Sequence, residues 1–247
     1  MKISGNIILI TGGGSGIGRA LAHRFNDLDN MVIVTGRRMA PLTETIGGRK
    51  QMAAYRLDVE DPVAIKSFAS SLLGDHPGLN VIINNAGVMR YEDMTSARDL
   101  GDAETMVRTN LLGPIRMIDA FVSHLAERPG SAIVTISSGL AFVPMIAAPT
   151  YNATKAAIHA YTLSLREQLN GKTEVIEIIP PAVQTDLTPG QATRENYLPL
   201  ETFVDQVMAE FEQQSTPNEI VVERAGVLRN AKRDGRFDAV MKAINPD

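Results

Sequence analysis

The sequence predicts a doubly wound α/β domain, in which a mostly parallel sheet of seven strands carries helices on both faces. Two observations support this fold. Short apolar runs alternate along the chain with longer amphipathic segments, which is typical of repeated βαβ units. No low-complexity tract, charge block or internal repeat divides residues 1–247, so we expect a single domain over that range.

Seven short runs are predicted as strands because they are rich in aliphatic and β-branched residues and are bounded by turn residues. They cover Asn6–Ile10, Met31–Gly36, Ala54–Leu57, Val81–Asn84, Ala132–Ser137, Glu174–Ile179 and Ile220–Val222. Amphipathic segments lie between these runs, and helical crossovers of that kind join parallel strands.

Five longer amphipathic segments are predicted as helices. They cover Gly18–Leu28, Asp61–Leu73, Glu104–Leu125, Thr150–Leu169 and Leu200–Gln213. The segment Thr185–Pro199 contains Pro189, Gly190 and several polar residues, so we predict a loop there. Its length is typical of loops with a function, and we expect it to act as a lid in substrate binding.

The composition favours work on small molecules. Hydrophobic residues make up 44% and charged residues 21% of the 247 residues, as in ordinary globular proteins. The 28 Asp and Glu outnumber the 24 Lys and Arg, and the net charge of −4 does not favour nucleic acid or anionic membranes as partners. Because the chain has no cysteine, disulfides and thiolate metal sites are excluded.

The sequence predicts neither a targeting segment nor a metal site. The first residues, MKISGNIILITGG, contain an apolar run of only Ile7–Ile10, too short for a secretory or membrane segment, so we expect a cytoplasmic protein. The histidines are scattered and lack the spacing of metal ligands. They are His23, His76, His124 and His159.

A glycine-rich turn directly follows the first predicted strand and reads TGGGSGIGRA. Its Gly12, Gly16 and Gly18 form a GxxxGxG pattern before a predicted helix. Glycine permits a tight turn and a close backbone approach, and the start of the next helix offers free N–H groups to a diphosphate. No Gly-Lys-Ser/Thr follows, so the turn is not a P-loop. We therefore predict the dinucleotide site of a Rossmann fold.

The end of the second predicted strand bears on which dinucleotide is bound. About 20 residues after such a turn, an acidic residue binds the adenosine ribose of NAD, whereas an arginine accommodates the extra phosphate of NADP. The sequence VIVTGRRMA has Gly36 at that point, followed by Arg37 and Arg38. NADP(H) is therefore favoured over NAD(H), although arginines at a strand end also occur as ordinary surface residues.

The segment YNATK places Tyr151 and Lys155 four residues apart on a predicted helix. Residues at i and i+4 share a helix face, so the ammonium group can lie near the phenol. A free tyrosine has a pKa of about 10, and a nearby cation lowers that pKa. An isolated pair of this spacing is usually no more than two surface residues, so its meaning depends on the rest of the chain.

Five motifs together resemble the short-chain dehydrogenase/reductase family. They occur in the order and approximate spacing of that family, and they extend over nearly the whole chain. They are TGGGSGIG, NNAG at Asn84–Gly87, Asn110 in RTNLLG, Ser137-Ser138 in TISSG, and YNATK. Any one of them is weak evidence alone, whereas the ordered set is specific.

The resemblance implies a catalytic tetrad of Asn110, Ser138, Tyr151 and Lys155. Ser138 is preferred to Ser137 because it lies thirteen residues before the tyrosine, the usual spacing in the family. In the reductive direction Tyr151 would protonate a carbonyl oxygen that Ser138 binds, and Lys155 would lower the pKa of the tyrosine. Asn110 would position a water that relays protons to Lys155. The alternatives are a strand-end hydroxyl for Ser138 and a polar break in a helix for Asn110.

The resemblance also implies a set of residues along the cofactor. Within it, Asp58 in LDVED matches the acid that contacts adenine in the family, although it could be only a helix-capping residue. The set is Gly12, Ser15, Gly16, Ile17, Gly18, Arg37, Arg38, Asp58, Val59, Asn85, Ala86, Gly87, Tyr151, Lys155, Pro181, Val183 and Thr185.

One motif departs from the family pattern. IIPPAVQTDL has Pro181 where the family usually has glycine, and a second proline fixes φ and removes an N–H donor beside the nicotinamide. The double proline and the C-terminal sequence EIVVERAGVLRNAKRDGRFDAVMKAINP are similar to the DltE-like oxidoreductase subgroup of the family.

The expected function is therefore an NADP(H)-dependent oxidoreductase that interconverts a ketone or aldehyde and an alcohol. The resemblance implies a homodimer or homotetramer, formed through the helices that carry Asn110 and Tyr151. Phe142–Met145 could line the substrate pocket or serve in packing, and Arg90 and Tyr91 could reach that pocket or belong to a solvated loop. Two other functions stay open, a catalytically silent NADPH-binding sensor and an NAD-dependent alcohol dehydrogenase.

Overall fold

A computed structural model describes residues 1–246 and contains a seven-stranded sheet within them. Its strands are Ile7–Thr11 (β1), Met31–Gly36 (β2), Met52–Arg56 (β3), Val81–Asn84 (β4), Ala132–Ile136 (β5), Glu174–Ile179 (β6) and Glu219–Val221 (β7). Their order is β3-β2-β1-β4-β5-β6-β7, and every pairing is parallel. The predicted doubly wound α/β fold is confirmed, with a sheet that is parallel throughout.

Helices connect the strands and cover both faces of the sheet. They are Gly16–Asp27 (α1), Met39–Ile46 (α2), Pro62–Asp75 (α3), Gly101–Val107 (α4), Gly113–Ala126 (α5), Pro149–Gln168 (α6), Leu200–Phe211 (α7), Glu223–Arg229 (α8) and Phe237–Ile244 (α9). Across the described residues, we find no helix with the length and apolar character needed to cross a membrane.

The strands are buried on both faces, which explains their continuous apolar sequences. On one face Ile8 and Ile10 of β1 pack in the same cluster as Phe25 of α1. On the other face Leu9 packs in a second cluster with Phe121 of α5. Alternate residues of a strand point to opposite faces of the sheet. A shift of one residue in register would therefore move every side chain of that strand from one core cluster to the other.

The direction of the strand order reverses between β1 and β4. Chain segments leave these two strands in opposite directions, so a crevice opens beyond their C-terminal ends. The register pairs Leu9 of β1 with both Ile33 of β2 and Ile82 of β4. The predicted glycine-rich turn and the NNAG segment therefore lie side by side at this edge.

The prediction of one regular helix over Glu104–Leu125 is wrong. The structure has α4, then a π-helical turn at Arg108–Leu112, then α5. Proline has no backbone N–H, so Pro114 cannot donate to the Asn110 carbonyl four residues earlier. The Gly113 N–H instead bonds to the Arg108 carbonyl, five residues back. The helix widens where the proline interrupts its hydrogen bonding.

Other differences concern short or irregular segments. The short helices α2, α8 and α9 were not predicted, because seven or eight residues carry only a weak periodic pattern. The segment Thr185–Pro199 is a loop with a short 3₁₀ turn at Gln191–Thr193. It is closed by a parallel bridge between Val183 and Leu198. Its function as a lid stays a prediction.

The glycine-rich turn touches the end of β4 closely. Asn85 donates from Nδ2 to the carbonyls of Thr11 and Gly12, at 2.9 and 3.1 Å. The N–H groups of Asn85 and Ala86 both donate to Thr11 Oγ1 at 3.1 Å. A Cβ added to Gly18 would lie 2.3 Å from Asn85 Nδ2 and 2.4 Å from the Gly12 carbonyl oxygen. Only glycine fits at that position.

We expect Gly18→Ala to lower the free energy of unfolding by about 1–3 kcal/mol, because the added methyl overpacks this contact. Gly74→Ala is the matched control, since a Cβ there meets nothing within 4 Å and the residue is also helical. The control should be neutral or stabilising by up to about 1 kcal/mol. Urea unfolding measures both variants, and equal effects would contradict the steric explanation.

Candidate active site

A cleft runs along the C-terminal edge of the sheet, from the glycine-rich turn to the start of α6. All the predicted cofactor residues line it except Gly18, which lies beneath the turn. Sixteen of the residues listed above therefore share one cleft. Several other lining residues were not predicted to contact the cofactor, although some of them lie within the motifs quoted above. They include Gly14, Glu60, Val88, Ser137, Asp186 and Gln191.

The glycine-rich turn forms a cradle at the N-terminus of α1. Gly12 and Gly16 have φ values of +68° and +51°, which side chains rarely adopt. Ser15 precedes the helix in an extended conformation, and its hydroxyl makes no capping hydrogen bond. The first N–H groups of α1 therefore have no side-chain acceptor, and such groups suit a phosphate.

Two exposed arginines follow β2 at the far end of the cleft. Arg38 is the residue before α2, and Arg37 Nη1 lies 3.8 Å from Glu60 Oε1. Glu60 also binds Arg108 Nε and Thr109 Oγ1, each at 3.0 Å. Local sequence could not reveal this acid as part of the site, since its partners lie 48 and 49 residues further along the chain.

Tyr151, Lys155 and Ser138 form the wall at the other end of the cleft. Tyr151 and Lys155 lie on α6 and are each only 6% exposed. Lys155 Nζ donates to the Ile136 carbonyl at 2.8 Å and lies 5.6 Å from the centroid of the Tyr151 ring. Ser138 follows β5, and its Oγ accepts from the Leu140 N–H at 3.1 Å. The i, i+4 spacing therefore brings the phenol and the ammonium group together.

The expected lowering of the Tyr151 pKa by Lys155 is wrong for the protein by itself. Burial raises the pKa of Tyr151 to about 12, although the Ser138 hydroxyl acts in the opposite direction. Burial lowers the pKa of Lys155 to about 8, although Glu177 acts in the opposite direction. Desolvation, which favours the neutral form of each group, is the larger effect at both positions.

Asn110 is buried in the π-helical turn, behind the wall of the cleft. Its Oδ1 accepts from the Val88 N–H and its Nδ2 donates to the Val88 carbonyl, both at 2.8 Å. Nδ2 also lies 3.3 Å from Thr154 Oγ1. The side chain therefore holds the segment after Gly87 against α6. Any water bound at this residue would use its backbone carbonyl, since Pro114 cannot donate to it.

Ser137, the neighbour of Ser138, also lines the cleft. Its Oγ is buried and has no hydrogen-bond partner among the described residues. A buried hydroxyl usually has such a partner. The hydroxyl is therefore available to a group bound in the cleft.

Glu92 anchors the start of α6, and no motif in the sequence predicts this contact. Glu92 Oε2 accepts from the Thr150 N–H and Oε1 accepts from Thr150 Oγ1, both at 2.8 Å. Arg98 pairs with the same carboxylate, whose side chain is 1% exposed. Because Thr150 directly precedes Tyr151, this contact fixes the end of the helix that carries the tyrosine.

His159 of α6 lies beside two acidic side chains that come from other elements of the fold. Its Nδ1 lies 2.8 Å from Glu177 Oε2, and Glu219 is close to both side chains. Both carboxylates already have protein partners, because Arg229 binds Glu219 through two nitrogens. The arrangement is a hydrogen-bonded cluster that includes the ion pair between Arg229 and Glu219. It escaped sequence analysis because its members come from α6, β6, β7 and α8.

This chain is similar in sequence to known proteins, and one of these similarities extends over nearly its whole length. A family model described as "short chain dehydrogenase" matches residues 6–196. An uncharacterized oxidoreductase DltE of Bacillus subtilis is 34% identical, over 99% of this chain and 98% of its own. The NADP-dependent 3-hydroxy acid dehydrogenase YdfG of Shigella flexneri is 32% identical over 72% of each chain. Sulfoacetaldehyde reductase 2 of Chromohalobacter salexigens is 33% identical over 74% of this chain and 75% of its own.

Solved structures share the fold. A short chain dehydrogenase from Burkholderia cenocepacia in complex with NADP superposes with a TM-score of 0.82, at 23% identity and 99% coverage of both chains. The closed form of a serine dehydrogenase complexed with NADP⁺ gives a TM-score of 0.78 at 28% identity. That match covers 86% of this chain and 92% of the other.

We expect Glu92→Gln to destabilise the protein in a pH-dependent way. Burial would raise the pKa of Glu92, but hydrogen bonds from Thr150 and Arg98 hold it below its ordinary value of 4.5. A lowered pKa adds stability above the unfolded-state pKa, and this stability is lost as the pH falls through the folded-state pKa. At pH 7 the variant should lose about 1.5–3 kcal/mol, as expected for hydrogen bonds to a charged group.

Urea unfolding of the wild type and of Glu92→Gln at a series of pH values tests this expectation. The difference between them should shrink as the pH is lowered below about 4.5. Glu127→Gln, at an exposed position after α5, is the control and should change stability little at any pH. A difference that stays constant from pH 7 to pH 3 would show that the charge of Glu92 is not what stabilises α6.

Proposed function

The chain belongs to the short-chain dehydrogenase family and is an oxidoreductase, and we propose that it interconverts a carbonyl group and an alcohol with NADP(H). The observation that carries this proposal is the buried Tyr151 on the wall of the cleft, with Ser138 and Lys155 beside it. A phenol, a hydroxyl and an ammonium group at one end of a dinucleotide cleft can together bind and protonate a carbonyl oxygen.

The cleft fits a nicotinamide dinucleotide. Gly12 and Gly16 form a cradle at the start of α1, where unpaired N–H groups suit the diphosphate. Arg37 and Arg38 would hold the adenosine end, and the unpartnered hydroxyl of Ser137 would face the bound group. When bound, the reduced nicotinamide supplies the hydride that adds to the carbonyl carbon.

Tyr151 would donate its proton to the carbonyl oxygen as negative charge develops there. Since burial raises its pKa to about 12, Tyr151 holds its proton at neutral pH and starts as a donor. Ser138 would hydrogen-bond the same oxygen. Lys155, with its pKa lowered to about 8, would return a proton to the phenolate. In the oxidative direction Tyr151 must lose its proton first, and the hydrogen bond from Ser138, which acts to lower the pKa of the phenol, favours that loss.

The preference for NADP(H) rests on the end of β2. Gly36 offers no carboxylate to a ribose, and Arg37 and Arg38 can pair with a phosphate. Glu60 competes for Arg37 at 3.8 Å, so the phosphate would have to draw the guanidinium away from it. The name of the Shigella flexneri relative, an NADP-dependent enzyme, agrees with this preference.

The proposed substrates are small carbonyl compounds that carry an anionic group. Relatives are named for 3-hydroxy acids, sulfoacetaldehyde and serine, which all bear a carboxylate or a sulfonate. Arg90 lines the cleft three residues after Gly87 and offers a cation to such a group. The loop at Thr185–Pro199 would close over it, held by hydrogen bonds from Gln191 to the Val183 carbonyl and Thr185 Oγ1.

A homodimer or homotetramer is also part of the proposal. Val107 of α4 and Leu163 of α6 are large apolar side chains that remain exposed on the helices expected to form the interface. Contact between copies would cover them.

We expect Tyr151→Phe to abolish turnover and to leave NADPH binding nearly unchanged, because it removes only the proton donor. The assay is NADPH oxidation and NADP⁺ reduction with 3-oxo acids, sulfoacetaldehyde, 3-hydroxy acids, serine and uncharged ketones and alcohols. Tyr161→Phe is the matched control, since Tyr161 lies on the same helix but is partly buried against the second core cluster.

The control variant should turn over like the wild type. Substantial activity in Tyr151→Phe would show that a different acid operates. If NADPH binds and no compound reacts with the wild-type protein, the sensor function is favoured instead.

We expect Arg37→Ala to weaken NADPH binding by about tenfold or more and NADH binding much less, because a hydrogen bond to a charged group contributes about 1.5–3 kcal/mol. Fluorescence titration with each cofactor gives both dissociation constants. Arg233→Ala, an exposed arginine near the C-terminus, is the control and should change neither. Equal losses for NADPH and NADH would remove the argument for NADP(H).

A further inference from the structure

The chain between Ser138 and Tyr151 connects two residues of the proposed mechanism and does not itself enter that mechanism. After the 3₁₀ turn Gly139–Ala141, residues 142–148 lead to the start of α6 at Pro149. We call residues 142–148 the back segment. Because it is neither helix nor strand, its backbone N–H and C=O groups need partners from outside a regular element.

Two asparagine side chains supply such partners. Asn152 of α6 donates from Nδ2 to the Met145 carbonyl at 2.7 Å, and its Oδ1 accepts from the Met145 N–H at 3.3 Å. Asn245, directly after α9, accepts from the Ile146 N–H through Oδ1 at 2.7 Å. The Nδ2 of Asn245 donates to the Pro144 carbonyl at 3.1 Å. Asn245 thus binds the back segment on both sides of Met145, from the far end of the chain.

Side chains of the back segment alternate between two clusters. Val143 is fully buried in a cluster with Val240 of α9. Met145, two residues later, packs against the cluster that contains Tyr151. Leu187 packs against the same cluster, and both Leu187 and Tyr151 line the cleft. The back segment therefore connects the C-terminal helix to the wall of the cleft beside the proposed proton donor.

Helix α8 packs closely against the start of this region. A Cβ added to Gly139, which directly follows Ser138, would lie 3.2 Å from Leu228 Cδ2. The guanidinium group of Arg229 lies 4.6 Å from the centroid of the Phe142 ring. Helices α8 and α9 therefore support the chain behind the wall, and Asn245 adds directional bonds to that support.

The reacting groups themselves are held by other contacts. The Thr150 N–H, directly before Tyr151, bonds to Glu92 Oε2 at 2.8 Å. The Gly139 N–H, directly after Ser138, bonds at 2.9 Å to the carbonyl of the residue that follows β6. Loss of the Asn245 side chain would therefore loosen the back segment while the phenol and the serine hydroxyl stay in place.

We propose that Asn245 is a positioning residue of the substrate site, because it fixes the backbone at Pro144–Ile146. Met145, held between these bonds, then supports the wall of the cleft at Tyr151 and Leu187. The hydrogen bonds do not depend on the proposed function, but their consequence for substrate binding rests on it. Among the described residues, Asn245 bonds to the back segment and to α9, and not to a residue proposed for the cofactor.

The first test is amide hydrogen exchange followed by NMR, which needs no turnover. In Asn245→Ala the Ile146 N–H loses its acceptor, so its exchange should become about threefold faster or more, as expected for one hydrogen bond. The Ser137 N–H, bonded to the Ile178 carbonyl, should keep its wild-type rate. Lys242→Ala, at an exposed position of α9, is the matched control and should change neither rate.

Asn245 also donates to the Met241 carbonyl at 2.9 Å, so a variant can act by unfolding α9. The Val240 N–H, bonded to the Arg236 carbonyl, reports on this helix. Asn245→Asp keeps an acceptor for the Ile146 N–H and loses the donor to α9, so the Ile146 exchange should stay near the wild-type rate. If Ile146 and Val240 exchange faster together in both variants, Asn245 only caps α9 and the proposal is wrong.

The second test is steady-state kinetics with a carbonyl compound that the wild type reduces. In Asn245→Ala the KM of that compound should rise by about fivefold or more, with kcat and the Kd of NADPH within about twofold of the wild type. This pattern is expected when binding is lost equally from the ground state and the transition state. Lys242→Ala should keep the wild-type KM.

An unchanged KM in Asn245→Ala, together with faster exchange of Ile146, would overturn the proposal, because the back segment would then not support the substrate site. If the wild type reduces none of the compounds, the proposed function fails instead. The exchange rate of Ile146 still decides in that case whether Asn245 holds the back segment.

Discussion

The close contact between the glycine-rich turn and the end of β4 is the constraint on which the rest of the structure depends. Thr11, Gly12 and Asn85 are joined by hydrogen bonds, and Gly18 leaves no room for a side chain between them. Because the strand order reverses at this point, the contact lies where the crevice opens beyond the strands. The cradle is built on these two strands, whereas the wall of the cleft is carried by α6 and by the end of β5.

Burial, more than charge, determines the resting state of the site. It raises the pKa of Tyr151 and lowers that of Lys155, so both groups are driven towards their neutral forms. From their proximity alone, Tyr151 would be expected as a phenolate and Lys155 as an ammonium ion. Burial instead favours the neutral form of each group. Glu177 acts against this effect at Lys155, because its negative charge favours the protonated form of the lysine.

The sequence was sufficient for features that arise from local pattern, and insufficient for those that arise from distant contacts. The strands were predictable because burial on both faces gives unbroken apolar runs such as Ile7–Ile10. The lining of the cleft followed from motifs at strand ends, which a parallel sheet must bring to one edge. Glu92 and Glu177 could not be predicted, because their partners Thr150 and His159 lie 58 and 18 residues away and neither pair forms a motif.

The π-helical turn at Arg108–Leu112 has a further consequence for the length of the chain. One residue corresponds to about 100° of rotation around an α-helix. Asn110 must face the Val88 backbone at one end of this region, while Phe121 and Leu125 must face the sheet at the other. The π-helical turn supplies the rotation about the helix axis that lets both groups of side chains face their partners. Deleting a single residue here would rotate the apolar stripe of α5 away from the core, so this region tolerates substitutions more readily than changes in length.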